Sequence, residues 1–210
     1  MKYIASLLLL PSIIFASSIG TNSIGFKIGQ ANFGTEEPGI KTEFDGFGFE
    51  LSGNLNTYSK DNYGLDLTLD AIFGNGLEGP LGIESDISKV DGALRPYMEL
   101  SGIILFANVG FSHAEYDIPG ILNSSESSFS PGVGLEFRLD KLTIRPSVDW
   151  VDYGTYADGT LFNLPISYSI SEKYDITAQY DVASFDNDTF GGVTGKYIYD
   201  SLLIGVDYKF

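Results

Sequence analysis

Apolar residues recur at every second position through ten stretches of this chain. The final stretch shows the rule well. Counting back from the C-terminus, Phe210, Tyr208, Val206, Ile204 and Leu202 share one face, while Lys209, Asp207, Gly205, Leu203 and Ser201 share the other. Only Leu203 breaks the alternation. A repeat of two is the side-chain period of a β-strand, and unlike faces mean that the strand separates two unlike surroundings. Residues 63–73 read the same way, with Tyr63, Leu65, Leu67, Leu69, Ala71 and Phe73 set against Gly64, Asp66, Thr68, Asp70 and Ile72. The pattern predicts further strands over 22–33, 45–56, 93–100, 103–113, 129–139, 142–151, 161–170 and 174–185.

The connections between these stretches alternate in length. Short ones are expected at 57–62, 101–102, 140–141 and 171–173, and longer ones at 34–44, 74–92, 114–128, 152–160 and 186–196. Short turns at one end and longer loops at the other describe an up-and-down meander, the connection pattern of a transmembrane β-barrel. Each predicted strand is close to the roughly 9–11 residues that cross hydrocarbon when tilted. The expected fold is therefore all-β, an up-and-down antiparallel transmembrane β-barrel of ten strands. Eight strands with larger loops is the competing count. Aromatic residues sort to the two strand ends. Tyr63, Phe137, Tyr168, Tyr174, Tyr208 and Phe210 fall near the short turns; Phe33, Phe73, Phe111, Phe129, Trp150, Phe162 and Tyr199 fall toward the long loops. Two aromatic rings around an aliphatic band are the interfacial girdles of a membrane barrel. A soluble sandwich or lipocalin-like barrel, the alternative, requires no such sorting.

Composition narrows the chemistry. The chain has 210 residues, 43% of them hydrophobic and 14% aromatic, with 25 Gly and no Cys. The lack of Cys removes disulfides, thiol nucleophiles and Cys-based zinc sites. A formal charge of −16 makes nucleic acid an unsuitable partner, because its phosphates are repelled. The beginning of the chain reads as an export signal peptide over residues 1–18. Lys2 supplies the positive start, residues 4–15 the apolar run, and Ala16, Ser17 and Ser18 the small residues for cleavage after Ala16 or Ser18. The run is shorter than the roughly 20 residues of a spanning helix, and Pro11 interrupts it. The barrel domain then occupies 19–210.

If the apolar faces meet lipid, the opposite faces line the lumen. They carry Lys27, Glu50, Asp66, Asp70, Arg95, Glu99, Glu136, Arg138, Arg145, Asp149, Asp181 and Asp207, with Lys209 beside them. A narrow barrel is largely filled by its own side chains, and buried charges must pair or stay hydrated. The expectation is an interior salt-bridge network with Arg95, Arg138 and Arg145 as hubs, since a guanidinium can hold several carboxylates. Acids exceed bases, so any remaining water path favours cations.

Three segments carry a family resemblance. The closing strand YIYDSLLIGVDYKF, with Tyr208 third from the end and a terminal Phe210, resembles the C-terminal signal of bacterial outer-membrane β-barrels. RPYMELSG (95–102) and RPSVDW (145–150) resemble strands of the small porin-like family that includes OmpA-type transmembrane domains. The resemblance implies location in the outer membrane, contact with lipid and lipopolysaccharide, and assembly by the barrel-assembly machinery, which reads Tyr208 and Phe210. It implies a monomer with no cofactor and a structural, adhesive or narrow-channel role.

Signals for catalysis are weak. His113 is the sole histidine, next to Ser112 and followed by Glu115 and Asp117. A Ser/His/acid group needs its members on one side, and alternation sends Ser112 and His113 to opposite faces. The expectation is a non-enzyme. Asp186 and Asp188 offer oxygens for Ca²⁺, but too few ligands accompany them for a metal site. The long loops concentrate acids, among them Glu36, Glu78, Asp86, Glu115 and Glu126. That surplus suits divalent cations bridging to lipopolysaccharide, or a basic partner in an adhesin-like role.

Overall fold

The computed structural model describes residues 19–37, 40–118, 122–152, 158–190 and 193–210. The expected signal peptide, residues 1–18, lies outside the described residues, as do the tips of four long connections. The strands are β1 (Ser23–Glu37), β2 (Ile40–Lys60), β3 (Tyr63–Glu78), β4 (Glu84–Leu100), β5 (Ile103–Ile118), β6 (Leu122–Leu139), β7 (Leu142–Ile144), β8 (Ser147–Asp152), β9 (Asp158–Ser169), β10 (Tyr174–Phe190) and β11 (Val193–Lys209). A 3₁₀ turn, Pro80–Gly82, separates β3 from β4.

β7 and β8 are one barrel strand interrupted at Arg145-Pro146. Ile144 faces Phe137 and Ser147 faces Gly134 on β6, so the register runs through unshifted. Pro146 lacks an N–H, yet its carbonyl accepts from Leu135 N at 3.0 Å, and Arg145 N donates to Pro165 O at 3.0 Å. The barrel therefore has ten strands, the count favoured by the pattern. Each pairs antiparallel with the next, and β11 pairs with both β10 and β1. Phe26 faces Val206 and Ile28 faces Ile204 across that seam. Closure pairs both edges of every strand through the barrel wall, while among the described residues the extension 122–128 of β6 pairs with β5 alone.

The strands are longer than the hydrophobic alternation suggests. β2 has 21 residues and β3 has 16, and much of the expected loops 34–44, 74–92, 114–128 and 186–196 is hairpin ladder. The outward apolar pattern marks only the part of a strand with an apolar outer face. Backbone pairing continues beyond it, where outward residues such as Glu43, Asp45, Glu84 and Asp86 are polar and Phe44, Leu77 and Ile87 turn inward.

The short turns follow from local chemistry. Asp61, Ser101 and Asp140 have φ of 51°, 53° and 55°, and Gly102 has 84°. Leu100 pairs with Ile103, so Ser101-Gly102 is a two-residue hairpin with positive φ at both centres, which matches strand twist. The connection expected over 57–62 shrinks to Asp61-Asn62, because Lys60 pairs with Tyr63.

Outside, the barrel is apolar. Phe26, Ile28, Leu67, Leu69, Leu94, Val109, Val133, Leu202, Ile204 and Val206 are all exposed. Tyr63, Tyr168, Tyr174 and Phe210 ring the short-turn end, while Phe111, Phe129 and Trp150 ring the other. Phe33 and Tyr199 do not join that second ring. Phe33 is only 4% exposed, and Tyr199 packs on an interior cluster. Both lie on odd positions of strands whose odd positions face inward, so parity overrides the aromatic character. Tyr58 joins the first ring because a bulge between Asn56 and Tyr58 shifts the alternation by one. Leu203, the break in the final strand's pattern, is fully buried inside.

Candidate functional site: the barrel interior

Even positions of β2, β3 and β6 and odd positions of β1, β10 and β11 bring the polar faces together. Lys27 Nζ donates to the Glu50 carboxylate, and both side chains are almost wholly buried. Lys27 also reaches Ser52 Oγ at 3.0 Å. Gln179 bridges two acids, donating to Glu50 Oε2 and to Asp181 Oδ2 at 2.8 Å each. Asn163 and Ser201 donate to Asp181 as well. Thr177 donates to Asp207. Arg95 Nε donates to Asn108 Oδ1 at 2.9 Å, and Asn108 Nδ2 donates to Asp149 Oδ1 at 2.8 Å. The Arg95 guanidinium also sits 5.0 Å from the centre of the Phe106 ring.

Near the short turns a second group forms. Glu136 accepts from Arg138 Nε at 2.7 Å, and Arg145 Nη1 lies 3.9 Å away. Asp66 accepts from Asn54 at 2.9 Å and from Asn56 at 2.8 Å. Lys209 reaches Asp175 at 2.7 Å.

Within the first group lies a cavity of about 100 Å³ lined by Lys27, Glu50, Asp70, Arg95, Asp149 and Asp181, among others. Its polar lining suits a few waters. Apolar layers flank it. Ile19, Ile104 and Phe106 pack together on the short-turn side. Ala114, Val151, Ala183 and Phe185 pack toward the long loops, and Phe33, Phe44, Leu77 and Ile87 form a further cluster there. The inner wall is shaped for this filling. A Cβ on Gly134 would lie 2.3 Å from Phe106, and one on Gly132 would lie 1.9 Å from the Asp149 carboxylate.

Eleven of the twelve charged residues expected in the lumen border this buried interior. Glu99 is exposed. It follows the inward parity of β4 but sits beside the Ser101-Gly102 turn, below the closed part of the barrel. Arg138 is half exposed at the same rim. The three arginines are not the sole hubs. Amides and hydroxyls from Asn54, Asn56, Asn108, Asn163, Gln179 and Thr177 satisfy most of the acids. Their signal was their place on the same polar faces as the charges.

No family model matches the chain, and no curated protein sequence matches it. Solved structures do match. The outer-membrane protease OmpT from Escherichia coli aligns with a TM-score of 0.55 at 9% identity, over 93% of this chain and 99% of that one. This chain has the fold of the bacterial outer-membrane β-barrels. Neisserial surface protein A aligns over 89% of this chain and 97% of its own, with a TM-score of 0.45 and 14% identity. The attachment invasion locus protein Ail of Yersinia pestis aligns over 90% and 99%, with a TM-score of 0.39 and 16% identity. At such identities the likeness concerns fold and carries no activity with it.

On the outer surface of this outer-membrane barrel fold, His113 has a neighbour that its own strand does not reveal. Ser127 on β6 faces it, with Oγ 2.8 Å from Nδ1. Glu115 Oε1 lies 3.4 Å from Nε2. Ser112 is buried on the other face, as alternation requires. The Glu115 contact is long, and Glu115 is 61% exposed. A triad acid works by holding its histidine in one orientation from a buried position, which this one lacks. Asp186 lies 3.7 Å from Lys196. The side chain of Asp188 lies outside the described residues.

Proposed function

We propose that this protein is an exported, monomeric integral barrel of the bacterial outer membrane with a passive, structural role and a closed interior. One observation carries the reading. Most of the lumen charges are paired or hydrogen-bonded internally, and apolar side chains lie to either side of them, with Ile19, Ile104 and Phe106 on one side and Val151, Ala183 and Phe185 on the other. The exposed aliphatic band is the surface that lipid and the lipopolysaccharide acyl chains cover, since water would leave it unsatisfied. The barrel-assembly machinery inserts the chain, reading Tyr208 and Phe210 on the closing strand. The extended hairpins then stand outside the cell as an acidic surface.

The competing reading is a narrow cation-preferring channel, favoured by the polar cavity around Asp70, Asp149 and Asp181 and by the excess of acids over bases on the inward faces. Single-channel recording of the refolded barrel in a planar bilayer separates the two. Stable insertion without steady current is the expected result. A persistent cation-selective current that changes on neutralising Asp70 would replace the closed barrel with a conducting one.

A further inference from the structure

The residues just before β1 are held unusually firmly for the start of a domain, where chains normally fray. Ile19 is 2% exposed and packs inside the barrel against Ile104, Phe106 and Tyr97. Its backbone nitrogen donates to Glu136 Oε2 at 3.0 Å, a contact between residues 117 positions apart. Its carbonyl accepts from Arg138 Nη2. Gly20 N donates to Asp66 Oδ2 at 2.8 Å, and Thr21 O accepts from Asn54 Nδ2 at 2.8 Å. Glu136 itself is wholly buried.

We propose that the export signal is removed between Ser18 and Ile19, and that the new Ile19 α-ammonium pairs with Glu136 inside the barrel. This rests on the exported-barrel reading and adds a processing site with a built receiving carboxylate. Hydrolysis of the Ser18–Ile19 peptide bond consumes one water. It leaves a carboxylate on Ser18 and an amine on Ile19, and the proton released by the acid resides on that amine. An α-amine is largely a cation at neutral pH. The nitrogen already aimed at Glu136 thereby changes from a neutral donor to a charged one, with stronger hydrogen bonding to the same oxygen.

Two independent features select Ser18 over Ala16. A cut after Ser18 places the small residues Ala16 and Ser18 at the third and first positions before the bond, whereas a cut after Ala16 places Ile14 at the third. A cut after Ala16 also leaves Ser17 and Ser18 attached. The ammonium is then displaced along the chain by two residues, up to about 7 Å, and Ile19 keeps an amide at Glu136. Only the cut after Ser18 puts the cation on Glu136 Oε2, the oxygen that Arg138 leaves to Ile19.

N-terminal sequencing and intact mass of protein extracted from outer membranes test the site. The expected chain begins at Ile19. A Ser17 start in the outer membrane overturns this proposal and leaves the exported barrel standing; an uncleaved Met1 start in the inner membrane overturns both. The pairing is tested on refolded chains that begin at Ile19 or at Ser17, each with Glu136 and with Glu136→Gln. Because Arg138 stays on Glu136 in both chains, the Ile19 chain is expected to unfold about 3 °C above the Ser17 chain when Glu136 is present. In Glu136→Gln the gap closes. Equal midpoints in the Glu136 background refute the ion pair, and that comparison decides the matter even if Glu136→Gln does not refold.

Discussion

Lys27 and Glu50 sit face to face across β1 and β2 with almost no exposure between them. Removing one partner leaves the other charged and buried, which costs about 3–5 kcal/mol, whereas replacing both with similar neutral shapes is often close to neutral. Lys27→Met is therefore expected to lower the urea midpoint of the refolded barrel strongly, and Lys27→Met with Glu50→Gln to recover most of the loss. Recovery that fails would mean that Gln179 and Asp181 depend on the Glu50 charge itself. Much of this interior was legible in the sequence, because parity alone sends Lys27, Glu50, Asp66, Glu136, Asp181 and Asp207 to one face. What the sequence could not rank was who satisfies whom. Formal charge drew attention to the arginines, but pairing depends on distances between strands, and the amides of Asn54, Asn108 and Gln179 happen to stand nearer. Ile19 gave no signal at all, since its contact with Glu136 exists only once the barrel is closed.

Among the elements, the turns and the apolar spans were readable and the hairpin ends were not. Ser101-Gly102 and Asp140-Lys141 announce themselves as small or polar pairs between alternating runs, and each joins adjacent paired residues in the structure. Ser101 holds a positive φ that Asn tolerates better in the first place of such a turn. Ser101→Asn is expected to raise stability by about 0.5–1 kcal/mol, read as a higher denaturant midpoint with an unchanged slope. The upper parts of β2, β4 and β6 escaped because their outward face turns polar: Glu43, Asp45, Glu84 and Asp86 are exposed while Phe44 and Ile87 are buried inside, the reverse of the lipid-facing pattern. The two Arg-Pro steps, at 95–96 and 145–146, look like strand breakers on paper. They are not, since each proline faces outward and the ladder continues past it in the same register.

For the whole molecule, the surroundings of the exposed band decide between two kinds of barrel. Ile204 is 56% exposed near the middle of that band. In water, Ile204→Arg would be nearly without effect on stability. In a bilayer, an arginine at the midplane of a lipid-facing strand costs about 2–4 kcal/mol. Refolding into lipid vesicles with Ile204→Arg is expected to show that loss, and an unchanged midpoint would contradict membrane insertion. Closure, and with it the pairing of the first strand with the last, was foreseeable from the alternating connection lengths, but the register of β1 on β11 was not, because no local pattern records which residue lies across the seam. That seam has a consequence in time. β1 emerges first and its second partner emerges last, so no partial chain can finish the cylinder. Until residue 209 meets residue 23, two strand edges stay unpaired and open to other chains. Because the contact spans nearly the whole sequence, it also forms late and slowly. The seam thus works as a completeness check: a chain that lacks β11 keeps two unpaired edges, which are open to pairing with other chains.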